Sequence, residues 1–254
     1  MSRRVLITGG GTGIGRAMAD GFLSQGDRVW ITDVDPETLG DLPSDLRGSQ
    51  VDVSDESAMA DLFAQIATDW DGLDVLCANA GTSGPTAPIE EVCLSDWRAC
   101  LAVNLDGAFL SAKYATPMMK AAGSGVITIT SSTAGWHGYP FRSPYAAAKW
   151  AELGLMKTLA MELGPFGIRC NAICPGSVEG PRMERVLAAE ATAKGVSRDE
   201  IYNGYASGTS MRSWVTAGDI ADMAVFLASD QARRVSGQVM SVDGHTFNPH
   251  VGVN

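Results

Sequence analysis

The sequence predicts a single α/β domain in which helices cover both faces of one doubly wound parallel sheet of about seven strands. Two observations support this class: apolar runs typical of buried strands alternate with helical patterns, and a glycine-rich turn joins the first strand to the first helix. No repeat or Pro/Gly-rich linker marks a second domain within residues 1–254. The strand-like runs are RVLIT, DRVWITD, SQVDV, LDVLCAN, GVITITSS, GIRCNAICP and QVMSVDG.

The first strand ends in a glycine-rich turn, TGGGTGIG, which opens the helical run AMADGFLSQG. Gly9, Gly13 and Gly15 permit a tight turn and let backbone N–H groups approach a diphosphate at the positive end of the helix. Because the string lies between a strand and a helix, it has the context that a dinucleotide-binding turn requires. The turn therefore predicts a dinucleotide cofactor.

Asp33 ends the second predicted strand, 18 residues past Gly15. A carboxylate at this place accepts hydrogen bonds from the ribose hydroxyls of NAD and repels the 2′-phosphate of NADP. Thr12, before the helix, and Val34, after the acid, supply no cation for a phosphate. The expected cofactor is thus NAD, with NADP less favoured. A simple turn residue at the end of a strand remains the alternative for Asp33.

The later helical patterns follow the predicted strands in turn and keep the alternating order. Between residues 177 and 215 this order breaks, and we expect two short helices and no strand, an insertion typical of a lid or substrate loop. Residues 245–254 form a tail beyond the last strand. The helical runs are SAMADLFAQIATDW, SDWRACLAVNLDGAFLSAKYATPMMKA, PYAAAKWAELGLMKTLAMELG and AGDIADMAVFLAS.

Composition argues against several classes of function. The 254 residues are 45% hydrophobic, enough for a full core, and the net charge of −10 disfavours nucleic acid or an anionic membrane surface as a partner. We find neither an apolar run of membrane-spanning length nor a signal peptide, and the cysteine count is odd, so a cytoplasmic protein is expected. The histidines are scattered and no C-x-x-C pair occurs, so no metal site is expected.

Tyr145 and Lys149 stand four residues apart in YAAAK, at the start of a long helical pattern. Residues at this spacing share a helix face, and an ammonium beside a phenol lowers the tyrosine pKa from its usual value of about 10. Such a tyrosine can exchange a proton with a substrate oxygen. Taken alone, the pair is a weak signal that favours a packed tyrosine and a solvated lysine, so the catalytic interpretation depends on the other motifs.

Together, the ordered motifs resemble those of the classical short-chain dehydrogenase/reductase (SDR) family, from about residue 5 to residue 244. The resemblance implies a Rossmann fold and an NAD-dependent oxidoreductase that interconverts a secondary alcohol and a ketone by hydride transfer. The motifs are TGGGTGIG (8–15), Asp52 with Val53, CANAG (77–81), Val103 with Asn104, Ser132, YAAAK (145–149) and Pro175 with Gly176.

The resemblance also implies roles for individual residues. Ser132 would bind the substrate oxygen, Tyr145 would transfer the proton, and Lys149 would tune Tyr145 and bind the nicotinamide ribose. Asn104 would lie at a kink in its helix and hold a water that links Lys149 to solvent. The implied cofactor-binding residues are Gly9, Thr12, Gly13, Ile14, Gly15, Asp33, Asp52, Val53, Asn79, Ala80, Gly81, Tyr145, Lys149, Pro175, Gly176 and Val178.

The substrate side departs from the family pattern at Gly180, where a threonine that contacts the nicotinamide carboxamide is common. Trp136 and His137 are expected to line the substrate pocket, and Arg182 is a candidate clamp for a carboxylate or phosphate. Core packing for Trp136 and a solvated helix face for Arg182 remain the alternatives. The expected substrate is a polar small molecule, such as a polyol, sugar or hydroxy acid. The resemblance further implies a homotetramer or homodimer.

Two other functions stay open. Within the enzyme class, a 3-oxoacyl-carrier reductase using NADPH is the main competitor, although Asp33 and the net charge of −10 argue against it. Outside that class, the chain would be a sensor or scaffold that binds NAD without catalysis. Relatives of that kind generally lose the tyrosine or the lysine, whereas this chain keeps Tyr145 and Lys149.

Overall fold

A computed structural model of the chain describes residues 2–248, except for the side chain of Arg182. Seven strands, all paired in parallel, form one sheet. The strands are β1 (Arg4–Thr8), β2 (Arg28–Asp33), β3 (Leu46–Gln50), β4 (Val75–Ala78), β5 (Gly125–Thr130), β6 (Ile168–Pro175) and β7 (Val239–Val242).

The strand order is β3-β2-β1-β4-β5-β6-β7, so the direction of winding reverses next to β1. In open parallel sheets, ligands bind outside the carboxyl ends of the strands at such a reversal. Here those strands are β1 and β4, and their ends lead into the glycine turn and into residues 79–81. The predicted doubly wound, seven-stranded sheet is confirmed, and its reversal point coincides with the predicted cofactor motifs.

Helices cover both faces of the sheet, and several begin with the capping residues that their sequences supply. Asp55 accepts hydrogen bonds from the N–H groups of Ser57 and Ala58, whereas Ser197 and Thr216 begin reciprocal capping boxes. The helices in residues 2–248 are α1 (Gly13–Ser24), α2 (Glu56–Trp70), α3 (Leu94–Leu101), α4 (Gly107–Ala122), α5 (Ser143–Leu163), α6 (Pro181–Lys194), α7 (Arg198–Ser207) and α8 (Ala217–Ala228).

The core consists of two apolar layers, one on each face of the sheet. Successive side chains of β1 alternate between them: Leu6 packs in the layer under α2 and α4, and Val5 and Ile7 pack in the layer under α1 and α8. All three residues are fully buried. Burial on both faces explains why the strands are continuous apolar runs, and the resulting rigid sheet fixes the loops at its carboxyl edge.

Two expectations about element boundaries were wrong. The third strand is Leu46–Gln50 rather than SQVDV, because its pairing with β2 ends where Asp33 meets Gln50. Val51 and Val53 gave the apolar signal, but they lie after the strand and are buried in the core.

The long helix predicted over residues 95–121 is interrupted by a π-type turn at Ala102–Asp106. The side-chain amide of Asn104 donates to the Cys100 carbonyl oxygen, which a regular α-helix would give to a backbone N–H. The interruption therefore separates α3 from α4 and turns Asn104 inward, where it is fully buried.

Residues 177–215 form a folded layer with two helices, α6 and α7. Leu187, Ile201 and Tyr205 make a small apolar cluster of their own, and Trp214 stacks on Tyr202 with 4.5 Å between ring centres. The base of this layer is closed by a single parallel bridge between residues 178 and 215. Its role as a substrate lid stays a prediction.

The tail predicted over residues 245–254 is described only as far as Asn248. Thr246 pairs with Thr209, and the N–H groups of Phe247 and Asn248 donate to the Gly208 carbonyl oxygen. This part of the tail therefore lies against the end of the lid layer, and the remaining tail residues lie outside the described part of the chain. No helix within residues 2–248 has the length and apolar character needed to cross a bilayer.

Candidate active site

The glycine turn after β1 has the shape of a cradle. Gly9 has φ of 62°, and a Cβ at this position would lie 2.8 Å from the Cα of Ala80. A Cβ on Gly15 would collide with the Gly9 carbonyl oxygen, whereas one on Gly13 would meet nothing within 4 Å. The turn is therefore packed tightly on its inner side and open at the start of α1.

The amino terminus of α1 is suited to bind an anion. Thr12 occupies the N-cap position and is exposed, and its side chain makes no capping hydrogen bond. Ile14, in the first turn, is half-buried against the core layer under α1. The uncapped N–H groups and the helix dipole together favour a diphosphate at this point.

Asp33 lies at the end of β2, beside this cradle. One carboxylate oxygen accepts a hydrogen bond from Gly11 N at 3.0 Å, and the other accepts one from Asp35 N at 3.2 Å. Val34, the next residue, is 62% exposed. No salt bridge to Asp33 occurs within the described ranges. The carboxylate is thus held in place by backbone donors and keeps its charge uncompensated.

The loop after β4 is fixed to the loop after β1 by polar contacts. The Thr8 hydroxyl accepts hydrogen bonds from Asn79 N and Ala80 N, and the Asn79 side-chain amide donates to the Thr8 and Gly9 carbonyl oxygens. A Cβ on Gly81 would lie 2.7 Å from Asn104 Oδ1. Residues 79–81 therefore brace the cradle and leave room for the Asn104 side chain.

Asp52 and Val53 complete the adenine side of the predicted site. Asp52 is exposed, and its carboxylate accepts hydrogen bonds from the backbone N–H and the hydroxyl of Ser54. Val53 is buried, and a Cβ on Gly107 would approach its side chain to 2.7 Å. This loop is therefore rigid, and its position follows from the packing of Val53 against the start of α4.

Tyr145 and Lys149 lie on the first two turns of α5, beside the end of β5. Both residues are buried, and the Lys149 Nζ is 5.6 Å from the centre of the Tyr145 ring. The ammonium donates to the Thr130 carbonyl oxygen at 3.0 Å. Ser132 follows β5, and its hydroxyl oxygen accepts a hydrogen bond from Ala134 N at 3.2 Å. The end of β5 and the start of α5 thus carry the three residues of the predicted catalytic set.

Asn104 connects the interrupted helix to this set. Its side-chain amide donates to the carbonyl oxygens of Cys100 and Thr82, at 2.8 and 3.1 Å. Its Oδ1 is buried and has no hydrogen-bond partner within residues 2–248. A Cβ on Gly81 would lie close to both this oxygen and Lys149 Nζ, which places the two atoms on the same side of the loop.

Two buried charged residues that the sequence motifs do not reveal lie beside the predicted catalytic pair. Glu152 is 1% exposed, and one of its carboxylate oxygens accepts a hydrogen bond from Lys149 Nζ at 2.7 Å. Arg142 is 6% exposed, and its guanidinium carbon lies 4.3 Å from the centre of the Tyr145 ring. Both stand three residues from a member of YAAAK, one helical turn away, and this spacing was the available signal.

The predicted nicotinamide side is formed by the end of β6. Gly176 N donates to the Val242 carbonyl oxygen, and a Cβ on Gly176 would clash with Asp243. Pro175 is buried and ends β6, while Val178 forms the bridge to the far end of the lid layer.

Asp243 stabilises the adjacent turn. Burial opposes ionisation of its carboxyl, but hydrogen bonds from Ser241, Thr246 and His245 outweigh this effect and lower its pKa. The ionised carboxylate therefore holds the chain that leaves β7 against the close approach at Gly176.

The predicted substrate residues lie in two segments, one after Ser132 and one at the start of α6. Trp136 and His137 are half-buried in the segment after Ser132, with their ring centres 6.3 Å apart. The side chain of Arg182 lies outside the described part of the structure, and Gly180 precedes α6 with φ of 141°. The functions of all these residues remain predictions.

Two features bear on other kinds of chemistry. Cys174, at the end of β6, is buried, and this burial raises the pKa of its thiol to about 12, so it is not a nucleophile at neutral pH. Residues 2–248 hold no group of three His, Cys, Asp or Glu side chains arranged to bind a metal ion. The titratable groups next to the end of β5 include Tyr145, Lys149 and Glu152.

The residues present fit a nicotinamide dinucleotide. The open position at Gly13, the uncapped start of α1 and the uncompensated carboxylate of Asp33 suit a diphosphate and an adenosine ribose. At the other end of the site, the inward Asn104 Oδ1 and the ammonium of Lys149 suit a polar sugar edge. These features lie along the carboxyl edge of the sheet, across its reversal point.

Several known proteins are similar to this chain in sequence and in fold. A family profile described as Enoyl-(Acyl carrier protein) reductase matches residues 9–245. D-beta-hydroxybutyrate dehydrogenase from Rhizobium meliloti is 31% identical over 254 residues, which cover 96% of this chain and 98% of that protein. The solved structure of NAD+-bound xylitol dehydrogenase has a TM-score of 0.92 at 27% identity and covers 95% of this chain and 98% of its own.

A third similar protein is described as a member of a named family. A solved oxidoreductase of the short chain dehydrogenase/reductase family from Burkholderia thailandensis is 33% identical, with a TM-score of 0.81 and coverage of 96% of this chain and 92% of its own. The profile match and these similarities extend over nearly the whole chain. This oxidoreductase belongs to the short-chain dehydrogenase/reductase family.

Proposed function

We propose that the protein is an NAD-dependent dehydrogenase that oxidises a secondary alcohol of a small polar molecule to a ketone, and catalyses the reverse reduction. The observation that carries this proposal is the buried Tyr145–Lys149 pair next to a dinucleotide cradle. A bound nicotinamide supplies the hydride acceptor or donor. The chain supplies the proton chemistry and holds the substrate oxygen.

Each residue of the proposed catalytic set has a physical task. The hydroxyl of Ser132 donates a hydrogen bond to the substrate oxygen. The Tyr145 phenolate takes the proton of the substrate hydroxyl during oxidation, and the Tyr145 phenol returns it during reduction. The ammonium of Lys149 favours the phenolate by its positive charge. Asn104, whose buried Oδ1 faces the same loop as Lys149 Nζ, would hold the water that carries the proton from Lys149 to solvent.

The choice of NAD rests on Asp33. Its charge is uncompensated by any described cation and lies at the end of β2, where ribose hydroxyls bind in this fold. A 2′-phosphate at the same place would bring like charges together, which is unfavourable in a partly buried site. The xylitol dehydrogenase structure, described as NAD+-bound, supports the same choice.

The polar substrate is supported by the names of the relatives. A hydroxybutyrate and xylitol are a hydroxy acid and a polyol, and both carry a secondary alcohol. We propose a substrate from these classes or a sugar, bound between the segment after Ser132 and the lid layer. Trp136, His137 and Arg182 are the proposed wall and clamp.

A homotetramer or homodimer is proposed from the outer faces of α4 and α5. Phe109 on α4 is 47% exposed, and Trp150 and Met161 on α5 are 53% and 82% exposed. Large apolar side chains on neighbouring surface helices are typical of protein interfaces.

Removal of one hydroxyl tests the catalytic assignment. We expect Tyr145→Phe to lower the kcat for any secondary alcohol that the wild type oxidises by at least about a hundredfold, since acid–base catalysis contributes this much or more. NAD binding, measured by calorimetry, should remain within about threefold of wild type, because the phenyl ring of the variant packs in the same place. The matched control is Tyr114→Phe, which removes a hydroxyl from the outer side of α4. Retention of kcat in Tyr145→Phe would refute the assignment.

A further inference from the structure

Arg142 is a buried cation beside the catalytic pair to which the proposed reaction gives no task. It is the residue before α5, and its guanidinium carbon lies 4.3 Å from the centre of the Tyr145 ring. Its Nη2 donates to the Ser83 carbonyl oxygen at 3.3 Å, in the loop that follows β4. The guanidinium therefore lies between the catalytic phenol and the loop that extends from the cofactor motif.

The local backbone holds Arg142 in this position. Phe141 has φ of 65°, a left-handed conformation that bulky residues seldom adopt. Its carbonyl oxygen accepts a hydrogen bond from Ala87 N at 2.9 Å, and Arg142 N donates to the Tyr139 carbonyl oxygen at 3.2 Å. A strained residue persists only where the surrounding structure enforces it, and such residues often occur at functional sites. Here the enforced turn directs an arginine into the protein rather than into solvent.

Arg142 has no ionic partner of its own. Of the two buried cations in residues 2–248, Lys149 pairs with Glu152, whereas Arg142 forms no salt bridge with a carboxylate in that part of the chain. Its Nε has no hydrogen-bond partner there either. A buried charge is costly unless it is paired, and a guanidinium has five N–H donors to satisfy. An anion that accepts hydrogen bonds from this guanidinium would pair its charge.

The other buried acid on the substrate side is already engaged. Glu190 accepts a hydrogen bond from the Tyr205 hydroxyl at 2.7 Å and forms an ion pair with Lys194 at 3.2 Å. Glu190 is therefore not an ionic partner of Arg142 in the described structure.

We infer that Arg142 is a carboxylate-binding residue of the substrate pocket, in addition to the proposed clamp Arg182, and that the enzyme oxidises short hydroxy acids in preference to neutral polyols or sugars. The inference rests on the proposed function, because it places the carboxylate relative to the hydroxyl that Tyr145 contacts. A planar guanidinium matches a carboxylate through two parallel hydrogen bonds. The closeness of Arg142 to the Tyr145 ring leaves a spacing of only a few bonds between the two functional groups, as in 2-, 3- and 4-hydroxy acids.

The first test compares acids with neutral counterparts on the wild-type enzyme. Lactate, 3-hydroxybutyrate and 4-hydroxypentanoate, both enantiomers of each, are assayed with NAD beside their methyl esters. We expect at least one acid to exceed its ester by about 30-fold in kcat/KM, the discrimination of one charged hydrogen-bonded pair. Equal or faster turnover of the esters, or turnover of polyols alone, would overturn the inference and leave the proposed function intact. Failure of every alcohol with both NAD and NADP would instead refute the proposed function.

The second test changes the arginine. Arg142→Gln should lower the ratio of kcat/KM for the preferred acid to kcat/KM for its ester by about 30-fold, mainly through the KM of the acid. Any effect of the lost charge on Tyr145 is common to both substrates and cancels in this ratio. Arg142→Lys should restore part of the loss, since it keeps the charge without the planar fork. Arg233→Gln, an exposed arginine after α8, is the control with the same charge change. An equal loss for acid and ester would assign Arg142 a structural role and overturn the inference. If Arg142→Gln does not fold, Arg142→Lys and the acid–ester pairs decide.

Discussion

The two halves of the site differ in what forms them. On the cofactor half, backbone close approaches set the shape: Gly9 against Ala80, and Gly15 against the Gly9 carbonyl oxygen. On the substrate half, buried charged side chains set the character of the site, with Glu152 bound to Lys149 and Arg142 over Tyr145. Close contacts between backbone segments require glycine at fixed positions, and these glycines form a motif that can be recognised in the sequence. A buried charged side chain depends on the three-dimensional surroundings that bury it, and no local sequence motif specifies these surroundings.

Glu152→Gln tests the substrate half and has the largest expected effect. The change leaves the buried Lys149 ammonium without its carboxylate, so the free energy of unfolding should fall by about 3 kcal/mol. Loss of the negative charge also favours the Tyr145 phenolate, so oxidation should persist to lower pH than in the wild type. Urea unfolding and pH–rate profiles measure the two effects.

The control for this variant is Glu162→Gln, which removes the same charge from an exposed position near the end of α5. A pH–rate profile of Glu152→Gln that superposes on that of the wild type would show that Glu152 only fills space and does not influence the proton chemistry.

Gly15→Ala tests the cofactor half. The new Cβ would lie against the Gly9 carbonyl oxygen and 2.7 Å from Asn79 Nδ2. We expect the free energy of unfolding to fall by about 2 kcal/mol, as in other overpacked sites, and NAD affinity to fall by at least about tenfold. Gly21→Ala in the same helix meets nothing closer than 3.4 Å and should stabilise the protein by about 0.5 kcal/mol. Equal behaviour of the two variants would contradict the cradle geometry.

The Arg4–Asp74 pair lies at the opposite edge of the sheet from the site. Changes to this pair should alter stability without altering activity, so they serve as a reference for changes in both halves of the site. Burial alone would raise the pKa of Asp74, but hydrogen bonds from the Arg4 side chain and backbone outweigh it and hold the pKa below 3.8. A lowered carboxyl pKa stabilises the folded state above the unfolded pKa, and this stability is lost as pH falls through the folded value.

Asp74→Asn should therefore lower the free energy of unfolding by about 1 kcal/mol at pH 7, and the difference from wild type should shrink as the pH falls below 3.8. Both kcat and NAD affinity should be unchanged. Asp61→Asn, an exposed aspartate on α2, serves as the control. A difference that stays constant as the pH falls below 3.8 would show that the pair does not act through the charge of Asp74.

The sequence predicted the fold to the level of strand number and parallel pairing, because buried parallel strands are unbroken apolar runs. It misplaced β3, since Val51 and Val53 are as apolar as strand residues yet lie in a loop that packs into the core. Propensity cannot separate these cases, because tertiary contacts decide which apolar residues pair and which only pack.

Local sequence patterns predicted only part of the site as well. Gly9, Asp33 and the YAAAK run were recognisable because their spacing has a mechanical reason. Arg142 and Glu152 were not, because an arginine before a helix and a glutamate on one are ordinarily solvated. Only the strained turn at Phe141 and the length of α5 bury them beside Tyr145 and Lys149. Their spacing of three residues from Tyr145 and Lys149 is a local signal of proximity, but it does not encode their burial.

The most direct test of the central claim, that Asp33 makes this an NAD site beside an intact catalytic pair, is a calorimetric titration of the wild-type protein with NAD and with NADP. The account predicts that NAD binds at least about tenfold more tightly than NADP, a difference of about 1.4 kcal/mol. Tighter binding of NADP would mean that Asp33 does not hold the ribose and would favour the NADPH-dependent carrier reductase. Binding of neither would contradict the assignment of the cradle as a cofactor site.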